Sequence, residues 1–302
     1  MVSVVMPTYN RVGMMKQAVE SVLRQTYKNV EIVIVDDNST DDTGVVVKEL
    51  ASKGYNILYY KNANNMGPGY NRNKGYCLSS GEYVVFMDDD DYYTDDTFYE
   101  KAISILDSDK KIACVSANAW IENVKEHSVT PADIGFEGKK IGEEYLLGLN
   151  KQYHKPLSTF ATVFSKKYLE QAELGSMKMV NDIAIYMRAL VFGDIYVIGD
   201  RIGNYRVHGN NISARIEKDF LIDNMKERLW TAKKFKCDLK TANQWLNEQL
   251  LFCFSYYIRG THPTVIDCWM IILWIVMNSK ISVELYKGIL RILIKERKQN
   301  LH

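Results

Sequence analysis

The sequence predicts an α/β fold, a mostly parallel sheet with helices on its faces, followed by a helical appendage. Three features carry that prediction. Over the first 120 residues, short apolar runs alternate with segments of helical periodicity. The most unusual polar residues stand at the carboxyl ends of those runs, which is where open α/β sheets bind their ligands. Beyond Ser213 the strand-like runs stop and long helical patterns take over.

Candidate strands are Val2–Met6, Val30–Val35, Asn56–Tyr60 and Tyr83–Met87. Between the first two, Met15, Ala18, Val19, Val22 and Leu23 recur at helical spacing and mark one buried face. Ser39-Thr40-Asp41-Asp42 offers N-cap chemistry to a second helix carrying Val46, Val47 and Leu50. Farther on, Ile112–Ala117, Phe160–Phe164 and Ile195–Ile198 read as strands. Asp182–Phe192 reads as a helix with Ile183, Tyr186, Met187 and Leu190 inward. Asp219–Lys236, Thr241–Arg259, Pro263–Met277 and Ser282–Arg297 read as helices, broken by Gly260, Pro263 and Asn278.

Composition narrows the function. At 302 residues the chain exceeds a typical domain of ~100–150 residues, so one large domain plus an appendage is expected. Lys+Arg 38 against Asp+Glu 37 leaves a formal charge of +1, and nothing global draws the chain to nucleic acid. Cys77, Cys114, Cys237, Cys253 and Cys268 are scattered and never spaced C-x-x-C. That argues against a disulfide framework or a zinc site and fits a reducing compartment. Val2–Met6 runs straight into Pro7-Thr8-Tyr9-Asn10 without the charged-then-apolar pattern of a signal peptide. The longest apolar run, Cys268–Met277, falls short of the ~20 residues a membrane span needs. A cytoplasmic location is expected, with the inner face of the membrane as its alternative.

Met87-Asp88-Asp89-Asp90-Asp91-Tyr92 is the most informative stretch. Adjacent carboxylates repel one another, so the run is costly unless a cation neutralises it or water solvates it. A solvated acidic loop is the ordinary reading. Here the run directly follows an apolar strand, and hard oxygen ligands in that position suit Mg²⁺ or Mn²⁺ shared with substrate phosphates. An EF-hand beginning at Asp88 would require Gly and Glu where Tyr93 and Tyr99 stand. A metal-dependent phosphohydrolase built on the Asp88–Asp91 cluster stays open. It leaves the other strand ends without a role. Asp36-Asp37-Asn38-Ser39 reads singly as a turn and helix cap. Asn65–Asn73 reads singly as a Gly/Pro loop entering a helix. It is no dinucleotide fingerprint, because Arg72 follows Gly67-x-Gly69 where a third glycine is required, and no Walker A pattern is present.

Taken together and in order, four motifs resemble a family 2 glycosyltransferase over about the first hundred residues. They are Val2–Arg11, then Glu31–Asp37 with Asn38-Ser39-Thr40-Asp41, then Asn65-x-Gly67 with Arg72-Asn73, then Gly81–Met87 with Asp88-x-Asp90-Asp91. A weaker likeness to the family's acceptor-side segment follows in Asn181-Asp182, Tyr205-Arg206-x-His208 and Ser213. The resemblance implies a GT-A fold, a Rossmann-like mixed sheet flanked by helices. It also implies inverting, metal-assisted transfer from a nucleotide sugar, usually a UDP-sugar, to an acceptor hydroxyl, with Mn²⁺ or Mg²⁺ as cofactor. The catalytic domain would be 1–215, its nucleotide-sugar half 1–120 and its acceptor half 121–215, with 216–302 the C-terminal helical region.

Roles follow from the same resemblance. Pro7 and Tyr9 would line the nucleoside pocket, and Asp37 would accept from the uracil ring. Arg72 would sit near base and diphosphate. Asp88 and Asp90 would form the D-x-D motif, with Asp89 between them on the donor side, and Asp90 with Asp91 nearest the metal. His208 would reach metal or diphosphate; its ordinary reading is a loop residue beside Gly209-Asn210-Asn211. Asp182 is the matching candidate for the catalytic base, although the family often has Glu-Asp where this chain has Asn181-Asp182. Its ordinary reading is a charge favoured at a helix N-terminus. A base for the acceptor hydroxyl should come from outside the nucleotide half, as Asp182 does. Trp120 could stack on a sugar, but one aromatic at the end of an apolar strand is more often core.

Three functions stay open: sugar transfer, phosphohydrolysis, and nucleotide-sugar binding without turnover. The acceptor would be a glycan, a glycoprotein, a lipid-linked saccharide or a polymer. The C-terminal helices carry too many large apolar groups for one face, among them Phe252, Phe254, Tyr256, Trp269, Ile271, Leu273, Trp274 and Val276. The tail 279–302 interleaves Leu285, Ile289, Ile292, Leu293 and Ile294 with Lys280, Lys287, Arg291, Lys295, Arg297 and Lys298. A homo-oligomer through these helices ranks first, packing on the catalytic domain second and peripheral membrane contact third.

Overall fold

The computed structural model describes residues 1–178, 180–208, 218–261, 263–279 and 283–299. Ser213 and Lys280, both used above, lie outside the described residues. The chain forms two compact units, Met1–His208 and Gly209–His302, divided a little before the composition shift.

In the first unit, β1 (Val2–Thr8), β2 (Val30–Asp36), β3 (Ile57–Lys61) and β4 (Tyr83–Phe86) alternate with α1 (Val12–Arg24), α2 (Thr43–Ser52) and α3 (Pro68–Leu78). The short β5 (Tyr92–Tyr93) leads into α4 (Phe98–Ser108). Next come β6 (Ile112–Asn123), β7 (Ser128–Ala132), β8 (Gly138–Lys140) and α5 (Gly142–Gly148). The unit closes with β9 (Thr162–Ser165), α6 (Lys166–Gln171), α7 (Asp182–Leu190) and β10 (Asp194–Val207).

These strands make one sheet in the order β3-β2-β1-β4-β9-β6-β10-β5, with β7 added to β6 and β8 to β10. Pairing is parallel from β3 through β4 and again between β6 and β10. It is antiparallel where β9 lies between β4 and β6. The sheet is therefore mixed, as the family resemblance implies, rather than mostly parallel as the rhythm of strands and helices suggests. An apolar run carries no direction of its own; only its partner strand fixes that.

Every residue of β1, and β2 from Glu31 onward, is buried, as expected of strands covered on both faces. Met15, Ala18, Val19 and Val22 of α1 enter the core, with Leu23 packed at its margin. Helix α3 lies close on the sheet because Gly75 has no side chain: a Cβ there would fall 2.4 Å from a Val5 methyl.

Other expectations change in detail. Asp42 stands at the N-cap of α2 but makes no side-chain cap bond. Asp41 accepts instead from the amides of Val12 (3.0 Å) and Thr43 (3.1 Å), and so ties the starts of α1 and α2 together. The run Phe160–Phe164 divides into a 3₁₀ turn, Thr159–Ala161, and β9. Strand β6 continues to Asn123 and β10 to Val207. Their polar outer halves carry no clean alternation, and the β10 register slips between Ile198 and Arg201 and again between Arg201 and Asn204. Helix α7 is buried all round from Ala184 to Leu190 rather than on one face. Even Arg188 is inside, where its guanidinium donates to the Ala172 carbonyl at 2.6 Å.

The second unit comprises α8 (Lys218–Lys234), α9 (Leu239–Thr261), α10 (Val265–Asn278) and α11 (Val283–Gln299). Helix α9 is its centre, burying Trp245, Leu246, Leu250, Cys253, Phe254 and Tyr257, and α8, α10 and α11 all pack on it. Thr264 caps α10 by accepting from the Asp267 amide at 3.1 Å. No helix among the described residues is long and apolar enough to cross a membrane. Among the described residues of this unit, Phe252, Tyr256, Trp269 and Leu273 remain exposed.

Candidate active site

The site gathers at the carboxyl ends of β1, β2 and β4. After Phe86 the chain leaves the sheet in a turn closed by the Asp91 amide donating to the Asp88 carbonyl at 3.2 Å. It is then caught by β5, whose Tyr92 and Tyr93 pair antiparallel with Asn204 and Gly203 of β10. Gly203 permits that approach, since a Cβ there would lie 2.4 Å from the Tyr92 carbonyl oxygen. The acidic turn is thus held between β4 and β10.

Within it the four carboxylates part company. Asp88 takes two contacts from the Arg72 guanidinium, at 2.6 and 2.8 Å. Burial, with Asp182 and Asp90 nearby, raises the Asp88 carboxyl above its ordinary range against the pull of Arg72. Asp89 accepts from Thr8 Oγ1 at 2.7 Å and from Arg11 at 3.1 Å. Burial and the Asp90 charge outweigh Arg11 there and push the carboxyl up to about 6. Asp90 Oδ2 meets Arg11 Nη1 at 2.8 Å and His208 Nε2 at 2.9 Å, while its carbonyl accepts from Arg206 Nε.

Asp91 departs from the role given it by the resemblance. Its carboxylate is fully buried and accepts from Ser158 Oγ at 2.9 Å and from the Arg206 amide at 3.3 Å. Burial, aided by Asp90 and Asp88, drives it well above the carboxylate range. In a tight turn successive side chains point in different directions, so Asp91 faces the interior while Asp90 faces His208.

Across from this turn, α7 begins at Asp182, set by Asn181, whose side chain accepts from the Ala184 amide at 3.0 Å. Arg72 Nη2 stands 3.6 Å from Asp182 and Lys155 Nζ 3.8 Å. Burial works against the Asp182 charge, but Arg72 and Lys155 outweigh it and hold the carboxyl below its usual range. Burial and Arg72 in turn lower the Lys155 ammonium, against Asp182. Arg72 therefore links the acidic turn to the start of α7, and its Nε, though buried, has no hydrogen-bond partner among the described residues.

At the other end Pro7 is buried and Tyr9 is 47% exposed. Asn10 turns the chain away in the left-handed region, with φ 52°. Asp37 is buried and occupied by its own chain. It accepts from Asn62 Nδ2 (2.9 Å) and from the amides of Met66 (2.7 Å) and Gly67 (2.9 Å), which draws that loop onto the end of β2. The Trp120 ring is covered by the Arg201 guanidinium, 4.9 Å from its centroid, which takes the face a sugar would use.

Arg11, Thr8, Lys155, Ser158 and Arg206 join the site without having been assigned a role from sequence. Arg11 and Arg206 lie inside motifs that drew notice, so adjacency was their signal. Lys155 and Ser158 sit in a stretch without periodicity and had none. Among the described residues, no three His, Cys, Asp or Glu side chains come together as a ready-made metal site. Asp90 and His208, 2.9 Å apart, bring one carboxylate and one imidazole donor together.

Residues 3–171 match the family described as Glycosyl transferase family 2. The chain belongs to that family. A β-1,3-glucosyltransferase of Campylobacter jejuni, named for the acceptor GalNAc(5)-diNAcBac-PP-undecaprenol, is 31% identical over 199 residues, 65% of this chain and 61% of its own length. WfaP of Escherichia coli, a UDP-Glc:alpha-D-GlcNAc-diphosphoundecaprenol beta-1,3-glucosyltransferase, is 36% identical over 122 residues, 40% of this chain and 47% of its own. This chain thus spans less than two thirds of the length of either relative. Its fold matches Staphylococcus aureus TarS 1–349 in complex with UDP-GlcNAc at a TM-score of 0.67 and 19% identity, over 98% of this chain and 80% of that one. It matches mannosyltransferase PcManGT of Pyrobaculum calidifontis, in complex with GDP-Man and Mn²⁺, at 0.54 and 14%, over 99% and 86%. At such identities the likeness shows the fold alone, and that fold is GT-A.

Proposed function

We propose that this glycosyltransferase moves a sugar from a UDP-sugar, with inversion, to a hydroxyl of a saccharide carried on a polyprenyl diphosphate. The observation that carries the mechanism is the pair of opposed carboxylate clusters joined by Arg72: Asp88 on one side at 2.6 Å and Asp182 on the other at 3.6 Å. Asp182, kept ionised by Arg72 and Lys155, accepts the proton of the attacking acceptor hydroxyl. The diphosphate departs on the opposite side, toward Arg72 and Arg11, whose fixed charges stabilise the negative charge that develops. Asp90 and His208 would hold Mn²⁺ or Mg²⁺, and the cation when bound compensates the diphosphate charge without a proton. Attack from one side with departure from the other inverts the anomeric centre. Asp37 and Tyr9 serve the uracil end, Asp37 by shaping the loop of Met66 and Gly67. The names of the two bacterial relatives support the lipid-linked acceptor and, for WfaP, the UDP-sugar donor.

The test is incubation with UDP-glucose, UDP-N-acetylglucosamine or GDP-mannose, together with Mn²⁺ and short polyprenyl-diphosphate-linked saccharides. Release of UDP and a product of opposite anomeric configuration by proton NMR are expected. A retained configuration refutes single displacement, and equal turnover of GDP-mannose refutes the donor.

The Lys155 contact gives a sharper reading of the base. The ammonium favours the ionised form of Asp182, so Lys155→Met lets the carboxyl hold its proton to higher pH. The acid limb of the pH–rate profile should move upward while UDP affinity changes less than about threefold. An unmoved acid limb would detach Lys155 from the base.

A further inference from the structure

In the second unit, one side of α10 packs on the protein and the other is largely exposed. Ile271 and Ile275 are buried. The opposite side carries Ile266, Trp269, Met270, Leu273, Val276 and Met277, a stripe at helical spacing. Trp269 is 65% exposed, Leu273 58% and Met277 75%. No charged residue of α10 itself stands in the stripe; its one charge, Asp267, is turned to Lys218 at 3.3 Å, and that ammonium reaches the Met270 sulfur at 3.7 Å. A contiguous apolar face of this kind marks a surface that something covers.

Charge says what. Residues 209–302 hold fifteen basic and nine acidic residues, whereas 1–208 hold twenty-three and twenty-eight. The helical unit is therefore cationic and the catalytic unit anionic, a division hidden by the overall charge of +1. On α11, Lys287 and Arg291 are exposed beside Tyr286 (59% exposed) and Leu290 (40%). Basic side chains bordering exposed aromatic and aliphatic ones are the make-up of a helix lying in a lipid interface. A second copy docked through the same face would bring two cationic units together, whereas an anionic bilayer offers both an apolar interior and opposite charge. At ~1.5 Å per residue the 14 residues of α10 span about 21 Å, short of the ~30 Å hydrocarbon core, so they would lie in the surface rather than cross it.

We infer that the exposed face of α10, with the basic side chains of α11, docks the enzyme on an anionic membrane surface. Such docking would hold the enzyme at the surface where the proposed lipid-linked acceptor resides. The inference does not depend on that acceptor, and its test contains neither donor nor acceptor.

The test is co-sedimentation of the full chain with vesicles of phosphatidylglycerol and phosphatidylethanolamine, and with vesicles of phosphatidylcholine, at low and high salt. The same assay is run on Trp269→Ser/Leu273→Ser and on Lys287→Glu/Arg291→Glu. All these side chains are exposed, and unchanged thermal melting and UDP binding certify the fold of each variant. Wild type is expected to partition onto the anionic vesicles, more weakly at high salt and on the neutral ones. Each double variant should bind about tenfold more weakly or less. Wild type left in the supernatant at both salt concentrations overturns the proposal, as does undiminished sedimentation of the serine variant. A dimer seen by light scattering, dissociated by the serine substitutions and without vesicle binding, assigns the face to a second copy instead.

Discussion

Asp90→Asn is expected to lower sugar transfer by about three orders of magnitude and to remove the dependence of UDP binding on Mn²⁺. The substitution preserves shape but takes away the one charge that faces both His208, at 2.9 Å, and Arg11, at 2.8 Å. A neutral amide compensates a cation poorly, so the loss should persist at saturating Mn²⁺. Isothermal titration of UDP with and without Mn²⁺, alongside a UDP-release assay, measures both effects. Unchanged turnover would remove Asp90 from the centre of the site. Asp91→Asn is the natural control. Asp91 is buried on Ser158 and the Arg206 amide and already biased toward its neutral form. Its amide should therefore spare the Mn²⁺ dependence of UDP binding and register in thermal stability.

Asp182→Asn should keep UDP affinity within a few-fold and lose transfer by roughly 10²–10⁴-fold, the range for removing a general base. The contrast with Asp90 rests on placement. Asp182 opens α7 and meets the acidic turn through Arg72, at 3.6 Å. Its pH signature is also distinct. Because Arg72 and Lys155 outweigh burial and hold the carboxyl below its ordinary range, wild-type activity should fall only at pH below that range as the base takes up its proton. Single-turnover transfer across pH, with UDP binding measured in parallel, separates the two residues. Turnover preserved in Asp182→Asn, with UDP binding lost, would place this aspartate on the donor side.

Much of the nucleotide half was legible because its strands are buried on both faces and its loops are short. The runs at Val2, Val30 and Tyr83 are nearly unbroken apolar segments, so their ends, and the polar residues that follow them, could be located to within a residue or two. The acceptor half was less legible. Strand β10 reads as four residues in the sequence and extends to Val207 in the fold. Its outer half is polar and shifts register against β6, which erases the alternation that marks a strand. With that half unseen, Arg206 has no place in the sheet from sequence, although it binds the Asp90 carbonyl and presents its amide to Asp91.

The sequence by itself determined the family, the alternation of strands and helices in the nucleotide half and the identity of the acidic turn, because each is written in contiguous residues whose period and spacing survive without their neighbours. It did not determine that β9 enters the sheet antiparallel, that Asp91 turns inward while Asp90 meets His208, or that Lys155 stands 3.8 Å from Asp182. Nor did it show that α10 keeps a whole apolar face in solvent. Those outcomes depend on which partner each segment finds. Strand direction, side-chain facing and the field at a carboxylate are set by groups brought together from distant parts of the chain, and one-dimensional periodicity holds no record of that meeting.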